Sequence, residues 1–85
     1  MVFEVLSDST ESYDRGDKFA SYRTVPSIRE FILVSQKRAR VERYVRQADG
    51  AWLLREHGAG DRVPLETLGG ELAVDEMYLK VFPTE

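Results

Sequence analysis

The chain has 85 residues, a mass of 9.8 kDa and a net charge of −3. This length suits one small domain, and a core of this size buries only about 60% of the surface that the unfolded chain exposes. The absence of cysteine excludes disulfides and thiolate metal sites. The acidic balance argues against a uniformly basic nucleic-acid coat, and the longest apolar run, 31–34, is too short to span a membrane. We expect a single domain over residues 1–85, located in the cytoplasm, with no membrane association.

The first two predicted elements are a strand and a helix. Residues 1–6 are rich in β-branched and aromatic side chains and precede the polar stretch 7–10, a pattern typical of a strand followed by a turn. Because the strand is apolar on both faces, it is predicted to be central in a covered sheet. Asp8 and Glu11 have capping-box spacing, so a helix is predicted over 11–23, ending before Pro26.

The rest of the chain predicts more strands and a last helix. Residues 28–34 form a second strand, and the strand–helix–strand order predicts a βαβ unit with parallel strands and a right-handed crossover. Residues 41–47 and 51–57 flank Asp49-Gly50, a strong hairpin signal, so 28–57 is predicted to be an antiparallel meander. After a short extended piece at 63–65 and a turn at 68–70, residues 74–81 are predicted to be helical. The fold class is α+β with a mixed sheet.

Glu4 and Lys18 are the residues whose positions are most informative about chemistry. Glu4 is the lone charge in an apolar strand, and burying an unpaired carboxylate costs several kcal/mol. The residues alone slightly favour a solvent-facing glutamate over a buried, partnered or metal-bound one. Lys18 lies four residues after Asp14 on the predicted helix, and such a spacing by itself indicates a surface ion pair worth about 0.2–0.5 kcal/mol.

Two other features are read as structural. Five basic residues fall within ten positions: Lys37, Arg38, Arg40, Arg43 and Arg46. They could contact phosphates, but a solvated hairpin is the preferred interpretation, since aromatic interleaving is absent and the net charge is negative. His57 is the only histidine, which argues against a metal site or a nucleophile–base pair built on it.

Two segments resemble one family closely. Residues 4–23 read EVLSDSTESYDRGDKFASYR, and residues 25–34 read VPSIREFILV. Both resemble the Uma-two family of restriction-endonuclease-like proteins, whose fold is that of the PD-(D/E)XK nucleases. The resemblance runs from Val2 to about Val81 and is looser in the C-terminal half. It implies a metal-dependent endonuclease that hydrolyses DNA phosphodiester bonds.

The resemblance also implies the roles of four residues. Glu4 takes the place of the family's metal-binding glutamate, with Mg²⁺ as the expected cofactor, and Lys18 that of the catalytic lysine moved onto the helix. Asp14 occupies an acidic position before that lysine, and Ser7 matches the serine that closes the strand. Such a metal activates water, and the lysine stabilises charge on the phosphate.

The chain departs from the family in two ways. Asp8 stands where the family usually has proline. The upstream strand with the first metal-binding aspartate has no counterpart, so we expect a truncated, C-terminal part of a restriction-endonuclease-like domain that is inactive alone. The alternative is a non-catalytic interaction or oligomerisation module derived from the nuclease fold, a homodimer that pairs through its first strand.

Overall fold

A computed structural model describes the backbone of residues 1–81 and the side chains of residues 1–79. In chain order the elements are β1 (Val2–Val5), α1 (Glu11–Tyr22), β2 (Glu30–Val34), β3 (Arg40–Arg46), β4 (Trp52–Gly58), β5 (Arg62–Pro64), β6 (Glu71–Ala73) and α2 (Val74–Val81). No helix in this range is long and apolar enough to cross a membrane.

The main sheet of the described residues has four strands in the order β1-β2-β3-β4. β1 and β2 are parallel and connected through α1, which confirms the predicted βαβ unit. β2, β3 and β4 pair antiparallel, which confirms the meander. The second sheet, β5 with β6, was predicted only in part, because β6 has three residues and follows directly on a glycine turn. The α+β class and the terminal helix are confirmed.

The prediction that the first strand is central does not hold within the described residues, where β1 pairs with β2 alone. Its side chains alternate between two environments. Val2 and Glu4 are half-buried on the face that α1 covers, while Phe3 and Val5 are exposed on the other face. Among the described residues no element covers the apolar face formed by Phe3 and Val5, and the sequence pattern alone does not distinguish such a strand from a covered one.

α1 packs on one face of the main sheet through aromatic contacts. Phe31 of β2 stacks on Tyr44 of β3 with ring centroids 4.4 Å apart, and Phe19 of α1 stacks on the same tyrosine at 5.3 Å. Tyr22 meets Phe31 edge-to-face at 5.0 Å. Trp52 is half-buried at the border of this cluster. These rings fix where the side chains of α1 lie over β1.

The opposite face of the sheet is covered by the second sheet and α2. Ile32, Val34 and Val41 pack there against Val63, Leu65, Val74 and Met77. β2 and most of β3 are consequently buried on both faces, and all five residues of β2 are buried. The alternation of β2 and β3 side chains between two covered faces accounts for the continuous apolar run that marks β2 in the sequence.

The predicted capping box is wrong. The residue before α1 is Thr10, which makes no side-chain capping hydrogen bond. Glu11 is buried instead, where it accepts hydrogen bonds from the hydroxyl of Ser35 and from Arg15. Its carboxylate is used to attach the start of α1 to the sheet, so it is not available to the backbone of the first turn.

Candidate functional site

The structure brings Glu4 and Lys18 together. The β1–β2 register sets Glu4 opposite Leu33 on the face under α1, and Lys18 lies on the side of α1 that faces β1. The Lys18 Nζ is 3.7 Å from Oε1 of Glu4, and the two side chains are 36% and 35% exposed. Glu4 is thus neither fully solvated nor deeply buried: it has a cationic neighbour and remains open to a ligand.

Tyr22 is a third member of the site that the sequence did not indicate. Its hydroxyl donates a hydrogen bond of 2.6 Å to Oε1 of Glu4. Burial, together with the hydrogen bond and negative charge of Glu4, raises the pKa of Tyr22 to about 12. The signal available in the sequence was its spacing, because Tyr22 lies four residues after Lys18 and therefore on the same side of the helix.

Asp14 and Ser7 form a separate pair beside the first. Oδ2 of Asp14 accepts the backbone N–H of Ser7 at 2.9 Å, and the Ser7 hydroxyl lies 3.3 Å from that of Ser9. Asp14 therefore contacts the turn after β1 and makes no ion pair with Lys18, contrary to the surface-pair interpretation of their spacing. Its carboxylate ties the carboxyl end of β1 to the first turn of α1.

A network of buried charges holds α1 to the sheet next to this site. Arg15, one turn before Lys18, is 2.5 Å from Glu42 and 3.0 Å from Glu11. Burial alone would raise the pKa of Glu11, but hydrogen bonds from Ser35 and Arg15 outweigh it and hold the pKa below its usual value. Burial lowers the pKa of Arg15, but Glu42 and Glu11 outweigh it and raise the pKa, so the guanidinium stays charged.

The basic run is only partly solvated, so its prediction as a solvated hairpin was wrong for Arg43, which is buried, and holds only in part for Arg40 and Arg46, which are half-buried. Arg43 is only 5% exposed and pairs with Glu30 at 2.7 Å. Arg40 pairs with Glu56 at 3.0 Å, and Arg46 donates to main-chain carbonyls and covers the Trp52 ring at 4.5 Å. The physical reason is that β3 lies between two strands with both faces covered. Only Lys37 and Arg38 lie outside β3, in the exposed turn before it.

The donor set for a metal is incomplete in the part of the chain that the structure describes. No group of three or more His, Asp or Glu side chains there could hold a metal ion. Glu4 contributes one carboxylate, whereas Mg²⁺ needs near-octahedral oxygen coordination, which proteins usually supply with one or two carboxylates, waters and substrate phosphates. Glu4 fits the role of one ligand, and further oxygens must come from outside the described site.

Comparison with known proteins identifies relatives of unknown activity. The chain is 42% identical over 78 residues to the uncharacterized protein slr1290 of Synechocystis sp., an alignment that covers 92% of this chain and 41% of that protein. It is 43% identical over 56 residues to the uncharacterized protein sll1609 of the same organism, covering 66% of this chain and 32% of the relative. The chain thus spans less than half the length of the curated relatives that it matches. No solved structure matches it.

The family comparison covers most of the chain. Residues 1–77 match the Uma2 family, whose description is "Putative restriction endonuclease". The matched range includes Glu4, Lys18 and Tyr22 and all elements up to the first half of α2. The fold agrees with this assignment, since a mixed sheet with a helix across one face is consistent with a small restriction-endonuclease-like domain. The chain therefore belongs to the Uma2 family of restriction-endonuclease-like proteins.

Proposed function

We propose that this chain supplies part of a Mg²⁺-dependent site for the hydrolysis of DNA phosphodiester bonds. In this proposal Glu4 is a metal ligand and Lys18 is the cation that faces the phosphate. The observation that carries the proposal is the 3.7 Å approach of the Lys18 amine to the Glu4 carboxylate on a half-exposed face of the sheet. Membership of a family whose description is "Putative restriction endonuclease" supports the same chemistry.

The roles follow from the chemistry of the two side chains. A bound divalent cation would lower the pKa of water and neutralise charge on the scissile phosphate. Glu4 offers an oxygen ligand of the kind that Mg²⁺ prefers. Lys18 places a positive charge within reach of the same phosphate, where negative charge increases in the transition state. Ser7 and Asp14 line the neighbouring turn and hold the end of β1 in place.

We further propose that residues 1–85 form the C-terminal part of the domain and do not cleave DNA alone. Among the described residues no group of three or more carboxylate or imidazole side chains could hold a metal ion around Glu4, and Asp14 uses its Oδ2 to accept the Ser7 N–H. The relatives have more than twice the aligned length, and a segment pairing with the edge of β1 that is unpaired among the described residues would lie directly beside Glu4. Such a segment could supply the missing oxygen ligands.

Metal titration tests the role of Glu4. Mn²⁺ is titrated into the chain by calorimetry, and Glu4→Gln is compared with Glu66→Gln, whose side chain is 70% exposed and pairs with Arg43. We expect weak binding that is lost in Glu4→Gln and retained in Glu66→Gln. Equal binding by both variants would exclude Glu4 as the ligand.

A plasmid assay tests whether the chain alone is inactive. With Mg²⁺ we expect no nicking, and nicking that disappears in Glu4→Gln would refute the proposal that the chain alone is inactive.

A second function, self-association, is favoured by a different observation. Within the described residues the outer edge of β1 is unpaired, and Met1, Phe3 and Val5 are each 36–40% exposed beside it. An edge strand with apolar side chains is a template for pairing with another strand. We propose that two copies pair antiparallel through β1 about a twofold axis, which gives a closed dimer with a continuous sheet.

Sedimentation equilibrium tests this second proposal. At micromolar concentration we expect a dimer for the chain and a monomer for Val5→Lys, which places a charge on the exposed face of the edge strand. Leu79→Lys is the matched control, because Leu79 is exposed on α2, at 69%. A stable monomer of the unmodified chain, with rapid amide exchange in β1, would contradict self-association.

A further inference from the structure

The contacts of Glu4 fall on one of its two oxygens. Tyr22 donates to Oε1 at 2.6 Å, and Lys18 Nζ lies 3.7 Å from the same atom. Among the described residues no hydrogen bond or ion pair reaches Oε2. A carboxylate has about four lone-pair sites, so an oxygen without partners retains its capacity to bind a cation. The carboxylate is therefore held through one oxygen and open at the other.

The tyrosine contact dominates over the lysine contact. At 2.6 Å, Tyr22 makes a short hydrogen bond to an ionised acceptor, which is about twice as strong as a neutral one. At 3.7 Å, Lys18 is beyond hydrogen-bonding distance, and both partners are about one-third exposed, so this ion pair is worth at most about 1 kcal/mol. The orientation of the carboxylate is thus set mainly by the tyrosine.

The tyrosine hydroxyl is itself held in a fixed position. The Tyr22 ring packs edge-to-face on Phe31, which stacks in turn on Tyr44. A ring packed in this way has little rotamer freedom, so its hydroxyl defines a fixed point above β1.

We propose that Tyr22 is a positioning residue, which holds Oε1 of Glu4 so that Oε2 is presented to a divalent cation. This leaves Lys18 free to turn toward a phosphate, because the carboxylate does not depend on it for orientation. The proposal rests on the proposed function in one respect only, that the ligand of Oε2 is a metal. The holding of Glu4 by Tyr22 is a property of the metal-free chain.

Tyr22→Phe tests the proposal, because it removes the hydroxyl and keeps the ring on Phe31. Tyr13→Phe is the matched control: the same substitution on the same helix, at a tyrosine that is 74% exposed. In the metal-free chain, three-bond NMR couplings of Glu4 should report one rotamer in the unmodified chain and in Tyr13→Phe, and averaging in Tyr22→Phe. A tyrosine that merely needs a partner for its hydroxyl would leave the Glu4 rotamer unchanged.

The metal arm separates this proposal from the proposed function. Partners that orient a metal ligand typically change affinity by about 10–100-fold when mutated, so we expect Mn²⁺ to bind about 10-fold more weakly to Tyr22→Phe and equally to Tyr13→Phe. If Glu4 becomes mobile in Tyr22→Phe but the unmodified chain takes no Mn²⁺, the positioning role stands and the metal-dependent function fails. If Glu4 keeps one rotamer in Tyr22→Phe, or if the unmodified chain binds Mn²⁺ and Tyr22→Phe binds it equally well, the positioning role is wrong.

Discussion

The attachment of α1 to the sheet rests on Arg15, and Arg15→Met should destabilise the chain severely. Arg15 lies 2.5 Å from Glu42 and 3.0 Å from Glu11, and both carboxylates are only about one-twentieth exposed. Removing one member of a buried ion pair costs about 3–5 kcal/mol, because the remaining charge stays buried without compensation. Glu42 retains Arg40 at 3.8 Å, which places the expected cost near the lower limit, about 3 kcal/mol.

Arg62→Met is the matched control, since the Arg62–Glu71 pair has nearly the same geometry, 2.6 Å from Nε to Oε1, but side chains that are 58% and 50% exposed. An exposed pair is worth at most about 1 kcal/mol. In a domain of this size each kcal/mol shifts the Tm by about 4–8 °C. Thermal unfolding followed by circular dichroism should therefore show a drop of about 12–24 °C for Arg15→Met and less than about 8 °C for Arg62→Met. Equal shifts would refute the argument from burial.

Four further substitutions have definite expected outcomes. Burial alone would raise the pKa values of Glu11 and Glu30, but their hydrogen bonds outweigh burial and lower both pKa values below 4.5. Both carboxylates therefore stabilise the fold above that pH, and this stability is lost as the pH falls through the lowered values. Glu30→Gln should accordingly show a smaller loss of unfolding free energy toward acidic pH in a series of urea-unfolding curves. Gly16→Ala, in open space within α1, should stabilise by about 0.5–1 kcal/mol, whereas Gly70→Ala, at φ +86, should destabilise by a similar amount in the same urea assay. Tyr78→Phe removes hydrogen bonds to the carbonyls of the β2–β3 turn and should speed amide exchange there at a cost of about 1–3 kcal/mol.

Local pattern was sufficient for most of the fold. The Asp49-Gly50 turn between two strand-like runs predicted the β3–β4 hairpin that the structure shows. Hydrophobic period and turn chemistry act over a few residues, so they can be read without tertiary information. The edge position of β1 could not be read in this way, because an apolar strand looks the same whether or not a second neighbour is present.

Only two members of the site, one on β1 and one on α1, were predicted before the structure. Family resemblance indicated Glu4 and Lys18, and the structure places them 3.7 Å apart. Tyr22 and Arg15 were missed because their partners, Glu4 and Glu42, are 18 and 27 residues away in the chain. The hydrophobic periodicity of an amphipathic helix predicts that its charged residues are solvent-exposed. Only tertiary packing decides which of them are buried and paired.

The two proposed functions meet at the same edge of β1, and the register of a dimer would decide whether they are compatible. A twofold axis perpendicular to the sheet keeps each face on its own side, so residues opposite one another must come from the same face. An axis at Glu4 sets the two Glu4 side chains directly opposite, about 4.5–5.5 Å apart at Cβ, where like charges repel. An axis at Phe3 sets Glu4 opposite Val2 of the other copy and separates the glutamates by about 7–8 Å.

Without metal we expect the dimer to adopt the register centred on Phe3. Mg²⁺ should favour the Glu4 register, since two carboxylates then face one cation. Sedimentation equilibrium with and without Mg²⁺ should show tighter association with the metal, and the difference should vanish in Glu4→Gln. Association that is unaffected by Mg²⁺ would mean that the dimer keeps its glutamates apart and that its edge does not complete a metal site.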